Sequence, residues 1–154
     1  MAEYQLTQSQ QAVVSDRGGT LLVSAAAGSG KTKVLVDRLM SRICDPASPC
    51  NIDDFLVITY TNAAAAELRM KIAQAMSKRI AAEPGNRHLH RQLSRIYLAR
   101  ISTVHALCAD LLRTYAYLLD IPTDFRLMEE SEGEALQTKV LNELLEQEYA
   151  KASE

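Results

Sequence analysis

The stretch Thr20-Leu21-Leu22-Val23-Ser24-Ala25-Ala26-Ala27-Gly28-Ser29-Gly30-Lys31-Thr32 decides the fold class of this chain. A short apolar, β-prone run passes into a small-residue loop with two glycines, then into Lys-Thr. A helical period, Val34, Leu35, Leu39 and Ile43, begins at once. Strand, loop, Lys-Thr and helix in that order are the Walker A pattern, with Ala25 where its first glycine usually stands. Glycines let the backbone curl so that successive N–H groups converge on phosphate oxygens, and the positive end of the following helix points the same way. Lys31 brings a mobile charge for β- and γ-phosphates and Thr32 a hydroxyl for Mg²⁺. The loop from Ala25 to Thr32, through Ala26, Ala27, Gly28, Ser29, Gly30 and Lys31, is therefore the expected triphosphate cradle. Lys31 and Thr32 carry its chemistry. ATP and Mg²⁺ are the cofactors it predicts.

Two more apolar segments read as strands, 55–60 (Phe-Leu-Val-Ile-Thr-Tyr) and 100–103 (Arg-Ile-Ser-Thr). Helical periods lie between and after them: Leu68, Ile72, Ala75 and Met76; then Val104, Leu107, Cys108, Leu111, Leu112, Tyr115, Leu118 and Leu119; then Leu136, Val140, Leu141, Leu144 and Tyr149. Segments 45–49 and 83–86 read as loops, and Pro122 ends the long helix. Strands alternating with helices predict an α/β fold, a parallel sheet flanked by helices. In such sheets ligands bind at the carboxyl ends of the strands. Tyr60-Thr61-Asn62 and Thr103-Val104-His105 fall there on two separate strands. They suggest a second site beside the phosphate loop. The bland alternatives are a core aromatic for Tyr60, a helix cap for Asn62 and a first-turn polar residue for His105.

Composition narrows the class. The 154 residues are enough for a core, and 47% apolar content excludes a disordered tail. The net charge of −2 excludes bulk attraction to nucleic acid, so such a role needs a local surface. Charge is segregated: residues 78–100 hold six Lys/Arg against Glu83 alone, whereas 129–154 hold eight Glu against two Lys. A solvated helix face explains either block; for the basic one, a phosphate-facing surface is the sharper alternative. No apolar run is long enough to span a membrane, and residues 1–11 lack a signal-peptide core, which predicts a cytoplasmic protein. Cys44, Cys50 and Cys108 form no C-x-x-C and are expected to stay reduced. His88 and His90 lack a third metal ligand nearby in sequence and read as surface polarity.

Gln10 in Leu6-Thr-Gln-Ser-Gln10, the Ala-Gly-Ser-Gly-Lys-Thr loop, the Thr59-Tyr-Thr-Asn62 stretch with Ala65-Ala66-Glu67-Leu68, and Ser102-Thr-Val-His105 resemble, in order, the motifs of UvrD-like superfamily 1 helicases. The Ala-rich loop start, the basic insert between Asn62 and Thr103, and Arg113-Thr-Tyr-Ala-Tyr117 leading to Asp124-Phe-Arg126 make the chain most similar to the AddA (RexA)-type helicase–nucleases, with RecB and UvrD/Rep types as alternatives. The resemblance implies a P-loop NTPase, RecA-like fold for the first motor domain (1A) over residues 1–128, and an acidic helix over 129–154 that starts an inserted subdomain. It implies that Gln10 contacts adenine and that Tyr60, Thr61, Asn62, Thr103 and His105 contact single-stranded DNA. It further implies DNA ends as substrate, an AddB (RexB)-type partner, 3′-to-5′ movement, nuclease activity, a role in double-strand break repair and recombination, and a nucleoid-associated location. The chain departs from the pattern in having no Asp-Glu pair after an apolar strand: Asp53-Asp54 precedes one and Glu129-Glu130 follows none. These carboxylates would hold Mg²⁺ and position the attacking water. The expectation is an N-terminal portion of a longer protein that binds nucleotide without turning it over. A small-molecule P-loop kinase and a non-catalytic interaction module are the competing classes; the kinase leaves the Thr-Tyr-Thr-Asn and Ser-Thr-Val-His stretches without a role.

Overall fold

The computed structural model describes residues 5–152. Among them lie six α-helices, α1 (Gln8–Ser15), α2 (Lys31–Ile43), α3 (Asn62–Ala82), α4 (Arg87–Ser94), α5 (Val104–Tyr115) and α6 (Glu130–Ala152), and two strands, β1 (Leu56–Thr59) and β2 (Arg100–Thr103). The chain divides into two compact units at Cys108/Ala109.

In the first unit β1 and β2 pair in parallel, with Leu56 opposite Arg100 and Thr59 opposite Thr103. Parallel neighbours require a crossover, and here α3, a four-residue turn and α4 supply it. α3 begins where Thr61 Oγ1 accepts a hydrogen bond from Ala64 N at 3.1 Å, capping the helix. Its buried positions Ala65, Leu68, Ile72 and Met76 recur at +3 and +4, the period that turns one face to a core. They meet Val36, Leu39 and Ile43 of α2, Ile52, Leu89, Ala99, and Ile101 of β2. The α3 face expected from the sequence is thus the core face; on α2 the structure buries Val34 and Val36 and leaves Leu35 exposed.

One polar side chain is built into this core. Gln92 of α4 is fully buried; its Oε1 accepts from Ile52 N at 2.8 Å and its Nε2 donates to Asn51 Oδ1 at 3.0 Å. It pins the turn before β1 to the helix before β2. Gln92→Leu leaves the Ile52 N–H buried without an acceptor and is expected to cost about 1–3 kcal/mol, read as a lower urea midpoint at unchanged m-value.

Two expectations are corrected. Residues 20–24 form no strand: no neighbouring backbone among the described residues pairs with them, and Leu21, Leu22 and Val23 are 43%, 93% and 45% exposed. A strand exists only through its ladder, and this segment has no partner among the described residues. The sheet therefore has two strands, covered on the Val57 and Ile101 side while Leu56 and Ile58 stand exposed. The long helix expected up to Pro122 stops as an α-helix at Tyr115 and continues as a 3₁₀ turn, Ala116–Leu118.

In the second unit Arg113 stacks over the Phe125 ring, 5.3 Å from its centroid, and Arg126 grips Glu132 with two 2.7 Å hydrogen bonds. The Arg126 guanidinium, with the Glu129 N–H, holds the Glu132 carboxyl below its ordinary pKa. The three cysteines are free thiols, and burial pushes that of Cys44 up.

A candidate nucleotide site and a neighbouring polar strand edge

The loop between residue 24 and α2 turns twice through the left-handed region, at Gly28 (φ 76°) and Gly30 (φ 83°). Both positions require glycine, since a Cβ is disfavoured there even though open space surrounds Gly28. Ala25 is not among the residues with positive φ, so alanine serves where the Walker pattern usually has glycine. Gly30 caps α2 without a side chain, leaving the N–H groups of the first turn directed at the loop's mouth. Lys31 opens that helix and folds back: its Nζ donates to Ala25 O at 2.9 Å and to Ala26 O at 2.7 Å. Thr32 lies exposed in the same first turn.

Gln10 reaches this loop from α1. Thr7 and Gln10 form a reciprocal capping box: Gln10 N donates to Thr7 Oγ1 and Thr7 N donates to Gln10 Oε1 at 2.9 Å. The box fixes the Gln10 amide, whose Nε2 donates to Ser29 O at 3.1 Å. α1 is tied down in turn by α2: Arg38 donates to Val13 O and pairs with Asp16 at 3.2 Å, and Ser41 Oγ donates to Val14 O. The result is a cavity of about 470 Å³ between α1 and the loop, lined by Thr7, Ser9, Gln10, Val13, Ser29 and Lys31 among others. Its size suits a small-molecule ligand, with an apolar wall at Val13 and polar groups at the loop. A nucleoside triphosphate and Mg²⁺ fit this donor set: a flexible ammonium, a helix N-terminus, a free hydroxyl and an amide fixed beside the loop. Thr7, Ser9 and Val13 are lining residues that sequence reasoning missed; the Thr-x-x-Gln capping box is the signal that places the first of them.

The second cluster lies at the carboxyl ends of the paired strands, where Thr59 and Thr103 are in register. Tyr60 is fully exposed, at 103%, so it is no core aromatic. Thr61, not Asn62, caps α3; Asn62 is the first residue of the helix and exposed. Thr59 Oγ1 donates to Thr61 O at 3.0 Å and steadies the turn that presents Tyr60. On the adjacent strand Thr103 is nearly buried and its Oγ1 accepts from Ala106 N at 3.2 Å, capping α5, while His105 stands exposed in the first turn of that helix. The structure thus brings Tyr60, Thr61, Asn62 and His105 to one edge as exposed groups and gives the Thr103 hydroxyl a cap to hold. His88 Nε2 lies 3.3 Å from Cys50 O and His90 Nε2 3.0 Å from Pro84 O, so both rings are engaged by backbone.

Comparison with known proteins bears on the whole chain. Residues 6–154 match the family model described as the UvrD/REP helicase N-terminal domain. The chain is 45% identical over 148 residues, 96% of its length, to a Bacillus velezensis protein named as the A-type component of an ATP-dependent helicase/nuclease. Proteins of the same name from Bacillus pumilus and Desulforamulus reducens are 48% identical over 90% of the chain and 46% identical over 97%. The chain spans 11–12% of these relatives' own length.

Proposed function

Given that the chain belongs to the UvrD/REP helicase N-terminal domain family, we propose that it is the ATP-binding first part of an AddA-type helicase–nuclease that works on DNA ends in double-strand break repair and recombination. The observation that carries the reading is the loop itself. Gly28 and Gly30 turn it, α2 begins at Lys31, and Gln10 bridges it to the adjoining cavity. In this reading Lys31 leaves the carbonyls of Ala25 and Ala26 for the β- and γ-phosphates, and the N–H groups of residues 28–32 hold the remaining phosphate oxygens. Thr32 would ligate Mg²⁺, and Gln10, its amide held beside the cavity by Thr7 and Ser29, would face the adenine. When bound, the metal–nucleotide pair supplies the hydrolysable bond; the residues present hold and orient it.

Tyr60, Thr61, Asn62 and His105 form the single-stranded DNA edge, Tyr60 as the stacking platform. Thr103 belongs to it as the residue that sets the start of α5. Residues 129–154 begin an inserted subdomain, and an AddB-type protein is the partner of the whole molecule, in the cytoplasm at the nucleoid. The chain lacks an Asp-Glu pair after an apolar strand, so it binds nucleotide without DNA-stimulated turnover. DNA-stimulated hydrolysis abolished by Lys31→Ala would refute that last point.

The DNA edge is tested by fluorescence anisotropy with a labelled oligonucleotide. Base stacking on an aromatic contributes about 1–3 kcal/mol per base. Tyr60→Ala is therefore expected to weaken single-strand binding by about 5- to 150-fold, with the salt dependence unchanged, while Tyr60→Phe retains most of it. Equal affinity of Tyr60→Ala and the parent chain rejects this edge as the stacking site.

A further inference from the structure

From the charge at the opposite edge of the sheet, we infer that this unit carries a second, sequence-independent contact for a nucleic-acid sugar–phosphate backbone, built from Lys78, Arg87, Arg91 and Arg100. It rests on the reading of the chain as a DNA-acting protein and adds a surface to the strand edge described above.

The fold separates the two surfaces. β1 and β2 deliver Tyr60 and His105 at their carboxyl ends. α3 then runs back for 21 residues, about 31 Å at the helical rise, before the turn at 83–86 starts α4. The last turns of α3, the whole of α4 and the first residue of β2 therefore lie toward the amino ends of the strands.

Six cations from Lys78 to Arg100 face one acid in this segment. Two of the six are neutralised internally: Arg79 pairs with Glu83 at 2.7 Å and Arg95 with Asp53 at 2.7 Å. The same Glu83 also accepts from Asn86 Nδ2, the residue that caps α4, so both its oxygens are in use. Lys78, Arg87, Arg91 and Arg100 are exposed and carry no ion pair or side-chain hydrogen bond among the described residues. Arg87 and Arg91 are one turn apart on the face of α4 turned away from Leu89, which puts their stems side by side. Tyr97, 73% exposed, lies between Arg91 and Arg100 in the chain.

A solvated helix face normally intersperses charges of both signs, as α3 does with Lys71–Glu67 and α6 with Lys139–Glu143. Here the available carboxylates are consumed and the remaining cations, three of the four arginine, face water alone. Guanidinium forks without carboxylate partners suit phosphate oxygens. An obligate protein interface would instead centre on apolar anchors, and α4 turns both its leucines inward, Leu89 buried in the core and Leu93 packed against it.

The test is salt-dependent anisotropy on the full chain, with one single-stranded and one duplex probe. Each phosphate contact contributes about 0.9 to the slope of log K against log salt for duplex and about 0.7 for single strands. The Lys78→Gln, Arg87→Gln, Arg91→Gln variant is expected to lose about 2–3 from that slope and at least tenfold in affinity at moderate salt. Arg87→Lys with Arg91→Lys should keep the slope. The probe that loses more identifies which form of DNA the surface holds. Unchanged slope and affinity with both probes overturn the inference, as does a triple variant that loses only binding to polyglutamate, which would mark an acidic protein segment as the occupant. ATP binding and the Tyr60→Ala effect are measured on the same proteins. If both persist while the slope is unchanged, this surface alone fails; if the parent chain binds neither nucleotide nor DNA, the functional reading fails with it.

Discussion

Lys31→Ala is expected to reduce ATP affinity by about 100-fold or more, measured by titration calorimetry or with a fluorescent ATP analogue. The reason is local. Lys31 Nζ already makes two short bonds to loop carbonyls, so it is held at the mouth of the loop, placed to exchange them for phosphate oxygens. Charge-assisted hydrogen bonds to phosphate are each worth about 1.5–3 kcal/mol, and the alanine variant forfeits them against a highly charged ligand. The same substitution also frees the carbonyls of Ala25 and Ala26, which are exposed and can take water instead. Folding stability is therefore expected to change little, and a melting temperature near that of the parent separates lost binding from lost fold. Lys31→Ala binding ATP as tightly as the parent would remove the loop from the nucleotide reading. Gln10→Ala is a useful companion, because it removes the amide fixed by the capping box while leaving the loop glycines and Lys31 untouched.

Ile72→Ala is expected to cost about 2–5 kcal/mol, the range for truncating a buried Ile or Leu. Ile72 has no exposed surface and sits at the middle of α3, between Leu68 and Met76, where α2, α4 and β2 converge. Its removal leaves a cavity that neighbours on α2, α4 and β2 would have to fill. A core of this size supports only a modest total stability, so the variant should show a clear fall in urea midpoint. A solvent-side change on the same helix, Ser77→Ala, is expected to stay within about 0.5 kcal/mol. Near-equal midpoints for Ile72→Ala and the parent would mean that the core is not organised around α3.

What is legible in the sequence divides by the range of the interaction. The α3 core face is legible because one period, Leu68, Ile72, Met76, is imposed by backbone hydrogen bonds within the helix itself. The turns of the loop before α2 are legible because a left-handed backbone is a local requirement that favours glycine, and Gly28 and Gly30 both take positive φ. The strand at 56–59 is legible from its β-branched run, but its coverage is not: a covered sheet is the expectation, whereas Leu56 and Ile58 stand open. The segment 20–24 shows the same limit more sharply. Its composition is that of a strand, yet a strand is a relation between two backbones, and composition cannot supply the second.

The polar strand edge divides residue by residue. Motif order marks Tyr60, Thr61, Asn62, Thr103 and His105 together, but their surroundings differ. Thr61 and Thr103 each cap a helix, a role any Thr before a helical run can take, although the sequence suggests a cap only at Asn62. For Tyr60 the sequence keeps a core aromatic as the alternative to an exposed one; its full exposure goes with the tight Thr59-to-Thr61 turn.

By itself, then, the amino-acid sequence determined the two glycine turns before α2, the family and the core face of α3, because these depend on contacts a few residues apart or on motif order along the chain. The tertiary structure alone decided that, among the described residues, 20–24 stays unpaired, Gln92 is buried between α4 and the turn before β1, Tyr60 is presented to solvent, and Arg79 and Arg95 are neutralised while Arg87 and Arg91 are not. Each of these turns on which group from a distant part of the chain arrives as a partner. Pairing, burial and charge compensation are properties of that meeting, and no single segment contains them.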